Sequence, residues 1–475
     1  MKTPILGSSY VARSVNAADA RMVNLFPEMI AENGKEPAYL SRAPGLRLLA
    51  TIGDGPIRGL WVVKDYAYAV SGRYFYKIDA SWNVTLIGAV APNSGPVSMA
   101  DNGAQIFIAC NGPSYIYTIA TNTLTPIIDP DFPGAVTVAY LDGYFVFNQP
   151  NSQKIFVTAL LDGTQIDALD FASAEGSPDN IVSIIADHRE IWAFGTNTVE
   201  VWYDAGGADF PLARVQGAFN EIGCIAPYSV AKLDNGLFWL GADARGRGIV
   251  YRSNGYTGTR ISTHAVEWQL QEYTDLSDAV AYTYQQDGHA FYVLNFPTAN
   301  TTWVYDVATQ GWHERAGFVD GQFTRHRANT QMAFSNEIAV GDYENGNLYA
   351  YDLTVYSDNG QPQKWLRSWR ALAAGQNNLK RSAHHTLQLD CETGVGTLTH
   401  TDPQVMLRWS DDGGHTWSNE HWVSMGAMGQ FGRRAIWRRL GMTMKLRDRV
   451  YEVSGTDPVK IAILGAELRA SPTNA

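Results

Sequence analysis

The sequence has little of several things that organise other proteins. It has three cysteines in 475 residues, Cys110, Cys224 and Cys391, far apart and odd in number. That excludes a disulfide framework and the paired-cysteine spacing of a zinc site. It fits a chain that folds in a reducing compartment, with each thiol a small buried hydrophobe. No apolar run approaches the ~20 residues a membrane helix needs. After Lys2 no apolar core follows, because Ser8, Ser9, Arg13 and Asn16 interrupt it, so neither a membrane span nor a secretion signal is expected. Long helical periodicity is missing, and so are a Gly-x-Ser-x-Gly elbow and a His-Glu-x-x-His pair. Charged residues make up only 17%. Apolar residues reach 45% and aromatics 12%, which is ample for a large core and too apolar for disorder. The length exceeds what one core usually serves, so two or three domains are expected, or a repeat body with an appendage.

Positive charge is also scarce over most of the chain. Residues 360–475 hold 15 Lys+Arg against 10 Asp+Glu, which leaves 21 against 37 in residues 1–359. An acidic body with a basic end suggests two different neighbours. It argues against general nucleic-acid binding, which wants a basic surface to displace counterions.

What is present is a repeat. An apolar strand, a tight polar turn, a strongly apolar strand, a second turn and a Tyr-rich strand recur. The first turn falls near Asp65, Asn102, Asp142, Asp187, Asp234, Asp287 and Asn336. The spacing is roughly 45 residues, the length of a four-stranded propeller blade. Asp-Gly and Asn-Gly turns at 102–103, 142–143, 235–236 and 287–288 signal hairpins. Fourth strands are expected at 84–90, 124–128, 212–218, 259–263 and 312–317, and the last unit lacks one. The spare strand LRLLATI (46–52) is expected to complete that last blade and close the ring. The fold class expected is all-β: a β-propeller of about seven blades, or six if one unit is irregular, with an N-terminal arm and a C-terminal β-sandwich. The divisions expected are an extended arm over 1–45, a propeller over 46–356 and a sandwich-like domain over 357–475.

The sharpest local motif is Ser410-x-Asp412-x-Gly414-x-Thr416-Trp417, which matches the Asp-box of sialidase propellers. The motif is a turn: Asp412 accepts backbone N–H groups, Gly414 supplies φ > 0 and Trp417 packs beneath. It is specific as structure and uninformative as function. A sialidase-like glycosidase would carry several such boxes and an arginine cluster. Here there is one box, outside the repeats, and the propeller arginines follow no repeat-locked pattern. Adjacent His384 and His385 point to opposite faces of a strand and cannot chelate together. Asp129 and Asp131 are too few for calcium. No catalytic residue, cofactor or metal is expected.

The basic stretch from Arg433 to Arg449 interleaves arginines with Trp437, Leu440, Met442 and Met444. In a strand, Arg434, Ile436 and Arg438 share one face, and Arg433, Ala435, Trp437 and Arg439 the other. Two readings compete: a solvated edge protected by its charges, and a surface that docks an acidic partner ring through Arg433, Arg434, Arg438 and Arg439. Lys445 and Arg447 extend the same stretch.

Several segments together resemble a known family. They are FASAEGSPDNIVSI (171–184), REIWAFGTNTVEVWYDAGG (189–207), IGCIAPYSV (222–230), RWSDDGGHTW (408–417) and AIWRRLGMTMKLRDRVYEV (435–453), with NLFPE (24–28) and APGLR (43–47) near the start. In this order they resemble the packaged-DNA stabilisation proteins, the tail hubs of short-tailed phages infecting enteric bacteria. The resemblance covers most of the chain. It implies a non-enzymatic virion protein, assembled in the host cytoplasm as a hexamer below the portal and its adaptor ring. It also implies that the hub receives the tail needle, holds tailspikes nearby and keeps DNA inside. DNA would cross the channel without sequence-specific binding, and an acidic lining would keep it from sticking. No membrane contact is implied. The competing readings are a propeller that serves as a general protein-interaction module, and the glycosidase.

Overall fold

The computed structural model describes every residue except 16, 31, 175, 177, 178, 208, 209, 244, 245, 374–379, 445–448, 474 and 475. The repeat becomes seven antiparallel sheets. Blade 1 is built from Ile57–Val63, Tyr66–Ser71, Tyr74–Ile78 and Val84–Ala89, and blade 2 from Ser98–Asp101, Gln105–Ala109, Ser114–Thr118 and Thr123–Pro126. Blades 3 to 6 start at Val138–Leu141, Ile181–Asp187, Ala231–Leu233 and Val280–Gln286. Blade 7 holds Ala328–Phe334, Glu337–Asp342 and Asn347–Asp352, and its outer strand is Gly45–Thr51 from the other end of the propeller. The spare N-terminal strand therefore closes the ring as expected.

Local chemistry explains the hairpins. Asp142 and Gly143 have φ of 45° and 105°, and Asp234 and Asn235 have 47° and 55°. Left-handed pairs like these make the two-residue turns whose twist suits antiparallel strands. The second strand of each blade is buried on both faces, as in Gln105–Ala109 and Glu190–Gly195. Packing follows: a separate apolar cluster fills each of the seven interfaces between neighbouring blades. The single described helix, His264–Gln271, lies in the connection between blades 5 and 6 and is capped by Thr263.

The first 45 residues are not an extended arm. Their short strands complete the C-terminal domain. One sheet of that domain runs in the order Ala435–Arg438, Ser382–Cys391, Ala462–Pro472, Ala38–Arg42, Leu25–Met29, and Lys2–Thr3 also pairs with Ala462–Pro472. The other runs Met22–Val23, Trp365–Arg370, Val450–Gly455, Gln404–Ser410, His421–Ser424. Between them lies a core containing Trp365, Trp369, Leu387, Leu407, Trp437 and Tyr451, and the N-terminal segment adds Ile5, Met22, Leu25 and Leu40. Those four side chains account for the difference. An isolated arm would leave them in water, at about 1.5–3 kcal/mol for each large apolar group.

The second sheet does not stop at the sandwich. Val23 pairs in parallel with Glu314 of blade 6, so one nine-stranded sheet runs from the propeller into the domain. Asn24 pins the junction. It is fully buried at φ 53°, its Nδ2 donates to the carbonyls of Ala316 and Lys364 at 2.8 Å each, and its Oδ1 accepts from the Ala316 N–H at 3.0 Å. Arg21 forks onto the Glu314 carboxylate at 2.7–3.2 Å beside it.

Candidate partner-docking site

The arginine edge is built by one short strand. Ala435–Arg438 pairs with Ser382–Cys391 in the register Leu389↔Ala435 to Thr386↔Arg438. Ala435 and Trp437 point into the core, and the Trp437 Nε1 donates to the His421 carbonyl at 2.8 Å. This ties together the edge strands of the two sheets. Strand alternation then turns Ile436 and Arg438 outward, and Arg434, just before the strand, is also exposed. Arg433 and Arg439 do not share the buried face with Trp437. Arg433 precedes the strand, and Arg439 leaves it at φ 60°, so both are exposed. None of Arg433, Arg434, Arg438 and Arg439 bonds or pairs through its guanidinium with a described residue. Lys445 and Arg447 lie outside the described residues.

Other arginines show what a structural role looks like in this chain. Arg367 is buried and donates to the carbonyls of Ile5, Ser8 and Arg21, with its pKa pushed down to about 10 by burial. Arg42 donates to Asp457, Val459 and Gln363, and burial lowers it to about 10 as well. Arg449 grips Asp411 through two bonds of 2.6 and 2.7 Å. The four edge arginines have none of this anchoring. Large apolar side chains lie exposed in the same part of the chain: Trp422, Met428, Phe431 and Met442. From His421 to Met444 the chain holds no carboxylate. A surface that is basic, apolar and unpaired among the described residues is suited to an acidic protein partner.

The propeller axis offers a second place to look. The first strands of all seven blades line a cavity of about 490 Å³. Its charged residues are Arg58, Asp101 and Lys232, among a wall that includes Leu60, Val97, Met99, Val138, Ile184 and Val280. Arg58 is buried and spends its guanidinium on the carbonyls of Gly72, Ala91 and Gly95 and on Asn93. Asp101 accepts from Trp61 Nε1 at 2.8 Å. The arginine cluster that a sialidase-like site needs is not there. Nor is this axis an acidic conduit, so an acidic DNA channel would have to be formed between chains.

The Asp-box sits between Gln404–Ser410 and His421–Ser424. Asp412 accepts from the Thr416 N–H at 2.9 Å, from the Thr416 hydroxyl at 2.6 Å and from the Ser410 hydroxyl at 2.6 Å. These bonds, those from Ser410 first, hold its carboxyl well below the usual range. Gly414 has φ 103°, and a Cβ there would meet the Asp19 carboxylate at 2.4 Å. Trp417 donates to the Gly414 carbonyl at 3.1 Å, with Arg408 over its ring at 4.7 Å. His384 is buried against the Tyr451 hydroxyl at 2.6 Å, whereas His385 is exposed. Among the described residues no group of three or more His, Cys, Asp or Glu is placed to hold a metal.

The model of the family described as Bacteriophage P22 Gp10, beta-propeller, matches residues 1–356, and that described as Bacteriophage P22 Gp10, beta-sandwich, matches residues 364–471. The chain belongs to this family of phage stabilisation proteins. It is therefore a structural component of a phage virion, with a tail-hub or stabilisation role. A search of curated proteins finds none that matches the sequence. Solved structures similar to this chain include "Crystal Structure of Mitotic Checkpoint Complex", 12% identical with TM-score 0.42, covering 68% of this chain and 98% of that one. "Crystal structure of the computationally designed Ika8 protein: crystal packing No.1 in P63" is 14% identical with TM-score 0.39, covering 70% and 99%. "Crystal Structure of the N-terminal Domain of Nup159" is 8% identical with TM-score 0.41, covering 70% and 98%. At such identities and scores they say nothing of what the stabilisation protein does.

Sequence reasoning found the arginines of this stabilisation protein and the interleaved Met442, but missed the exposed Trp422, Met428 and Phe431. Met428 and Phe431 sit in the glycine-rich segment 425–432, where apolar residues have no strand to bury them. That mismatch was the available signal.

Proposed function

We propose that this stabilisation protein is the tail hub of a short-tailed phage, and that six copies form a ring docked below the portal and its adaptor. The ring closes the DNA exit, holds the packaged genome and anchors the tail needle and tailspikes. DNA passes through the ring without sequence-specific contact. No catalysis, cofactor or metal enters this role, and assembly takes place in the host cytoplasm without a membrane. The observation that carries the reading is the family match over both the propeller and the sandwich, so that the whole architecture is that of a phage structural protein.

The exposed arginine edge, unpaired among the described residues, supports it as a docking surface whose partner presents carboxylates. The test is Arg438→Glu combined with Arg439→Glu. Both side chains are exposed and bond no described residue, so the fold and its melting temperature are expected to stay as they are. Binding to portal–adaptor rings or to other copies weakens. A single rim pair is worth only ~0–1 kcal/mol, which is why two charges are reversed together. Undiminished assembly would reject the arginine edge as a docking surface.

A further inference from the structure

The connection between Lys154–Val157 and Phe171–Ser173 of blade 3 spans residues 158–170, far longer than the turn at 119–122 in blade 2. It is held in place. The Leu161 N–H donates to the Gly143 carbonyl at 2.8 Å, and the Gly163 N–H to Gln105 Oε1 at 2.8 Å. Gln105 Nε2 donates to Asp162 at 3.2 Å, and Ile166 is buried between blades 2 and 3. Yet this anchored loop holds three leucines in water: Leu160 is 59% exposed, Leu161 62% and Leu169 79%. Leu161 has φ 60°, a strained conformation for a bulky residue. A loop fixed in place and strained so as to display leucines is a contact surface more readily than a failed core. Its charges are Asp162, Asp167 and Asp170, with no Lys or Arg between 158 and 170.

This surface is the chemical complement of the sandwich tip. There Trp422, Met428 and Phe431, the last 76% exposed, stand among Arg433, Arg438 and Arg439. The two surfaces lie on elements well separated in the sheet topology. The sandwich joins the propeller at blades 6 and 7, through Glu314↔Val23 and Leu46↔Asp358. Blade 3 lies three blades away from that junction in either direction round the ring. The strand His421–Ser424 is the last of its sheet, with four strands between it and blade 6. No strand pairing joins the two surfaces within one chain, and a second copy offers the complementary surface.

We propose that the blade 3 loop of one copy docks on the arginine-rich sandwich tip of a second copy. Apolar side chains meet at the centre, and carboxylates and guanidiniums meet at the rim. The contact is heterologous, one surface against the other, so repetition produces a ring or a filament rather than a two-fold dimer. It rests on the reading of this chain as a ring-forming hub, and it names the partner of the arginine edge.

The test uses the full-length chain in two variants, Leu169→Cys and Phe431→Cys, mixed in the presence and absence of portal–adaptor rings. Mild oxidation is expected to give a cross-linked pair in the mixture and not in either variant alone. Adding Arg438→Asp and Arg439→Asp to the Phe431→Cys chain abolishes the cross-link, and adding Asp167→Lys and Asp170→Lys to its Leu169→Cys partner restores it. Circular dichroism of each variant establishes that it is folded. Rings that recruit chains without any cross-link would overturn this contact and leave the hub reading standing, with the arginines facing the adaptor. A cross-link in the mixture without any ring binding would support the contact and count against the hub.

Discussion

At the scale of single residues, the chain separates arginines that hold the fold from arginines that no described residue holds. Arg42, Arg58 and Arg367 each satisfy several backbone carbonyls from a buried position, whereas Arg433, Arg434, Arg438 and Arg439 face solvent. Strand alternation made part of this legible in advance, because Trp437 had to point inward and Arg438 therefore outward. The Asp-box was legible for a similar reason, since these bonds close within the eight residues 410–417. Asn24 was not legible. Its partners Ala316 and Lys364 are 292 and 340 residues away, and nothing local marks it. Its removal leaves one buried N–H and two carbonyls without partners and puts a side chain other than Asn at φ 53°. Asn24→Ala is expected to cost about 3 kcal/mol or more. It should also separate unfolding in urea into distinct propeller and sandwich steps where the unsubstituted chain is expected to unfold in one, read by tryptophan fluorescence and circular dichroism.

At the scale of elements, the seven-fold repeat was readable because each blade advertises its first hairpin and a doubly buried second strand. The outer strand of blade 3, Phe171–Ser173, was not expected, since the long loop before it breaks the spacing. The role of the first 45 residues was hidden because strands of two to five residues carry almost no pattern, and their pairing is decided by a core formed at the far end of the chain. The closing strand Gly45–Thr51 also meets the linker into the sandwich, where Asp358 pairs with Leu46. Asp358 is buried and accepts one bond, from Gln363 Nε2 at 3.1 Å. Burial raises its pKa from 3.8 to about 7, against the opposing pull of Gln363, Arg42, Arg327 and Arg315. Below the ordinary value the folded and unfolded chains are both protonated there, and no stability is lost. As pH rises from about 4 to about 7, the unfolded chain ionises first and the folded form is destabilised. Above that range the cost is complete, on the order of 4 kcal/mol. Asp358→Asn keeps the acceptor for Gln363 and removes the charge. It is expected to raise the melting temperature at pH 8 and to have little effect at pH 4. An equal shift at both pH values would show that burial of the charge is not what Asp358 costs.

At the scale of the whole molecule, charge and shape run together. The acidic propeller and the basic sandwich are joined by a sheet that passes from blade 6 through Met22–Val23 into the domain. A continuous sheet, the buried Asn24 and the half-buried Arg21–Glu314 pair make the joint stiff, which suits a part that must hold its orientation in an assembly. Composition indicated the two ends, but not that the axial cavity is small, largely apolar and unsuited to serve as a channel for DNA. The measurement that tests the central claim most directly is the mass of the purified chain by light scattering, alone and after mixing with portal–adaptor rings of the same phage. The hub account predicts recruitment of six copies per ring, whether or not the free chain is a monomer. A chain that stays monomeric and binds no portal–adaptor ring at any concentration would contradict it.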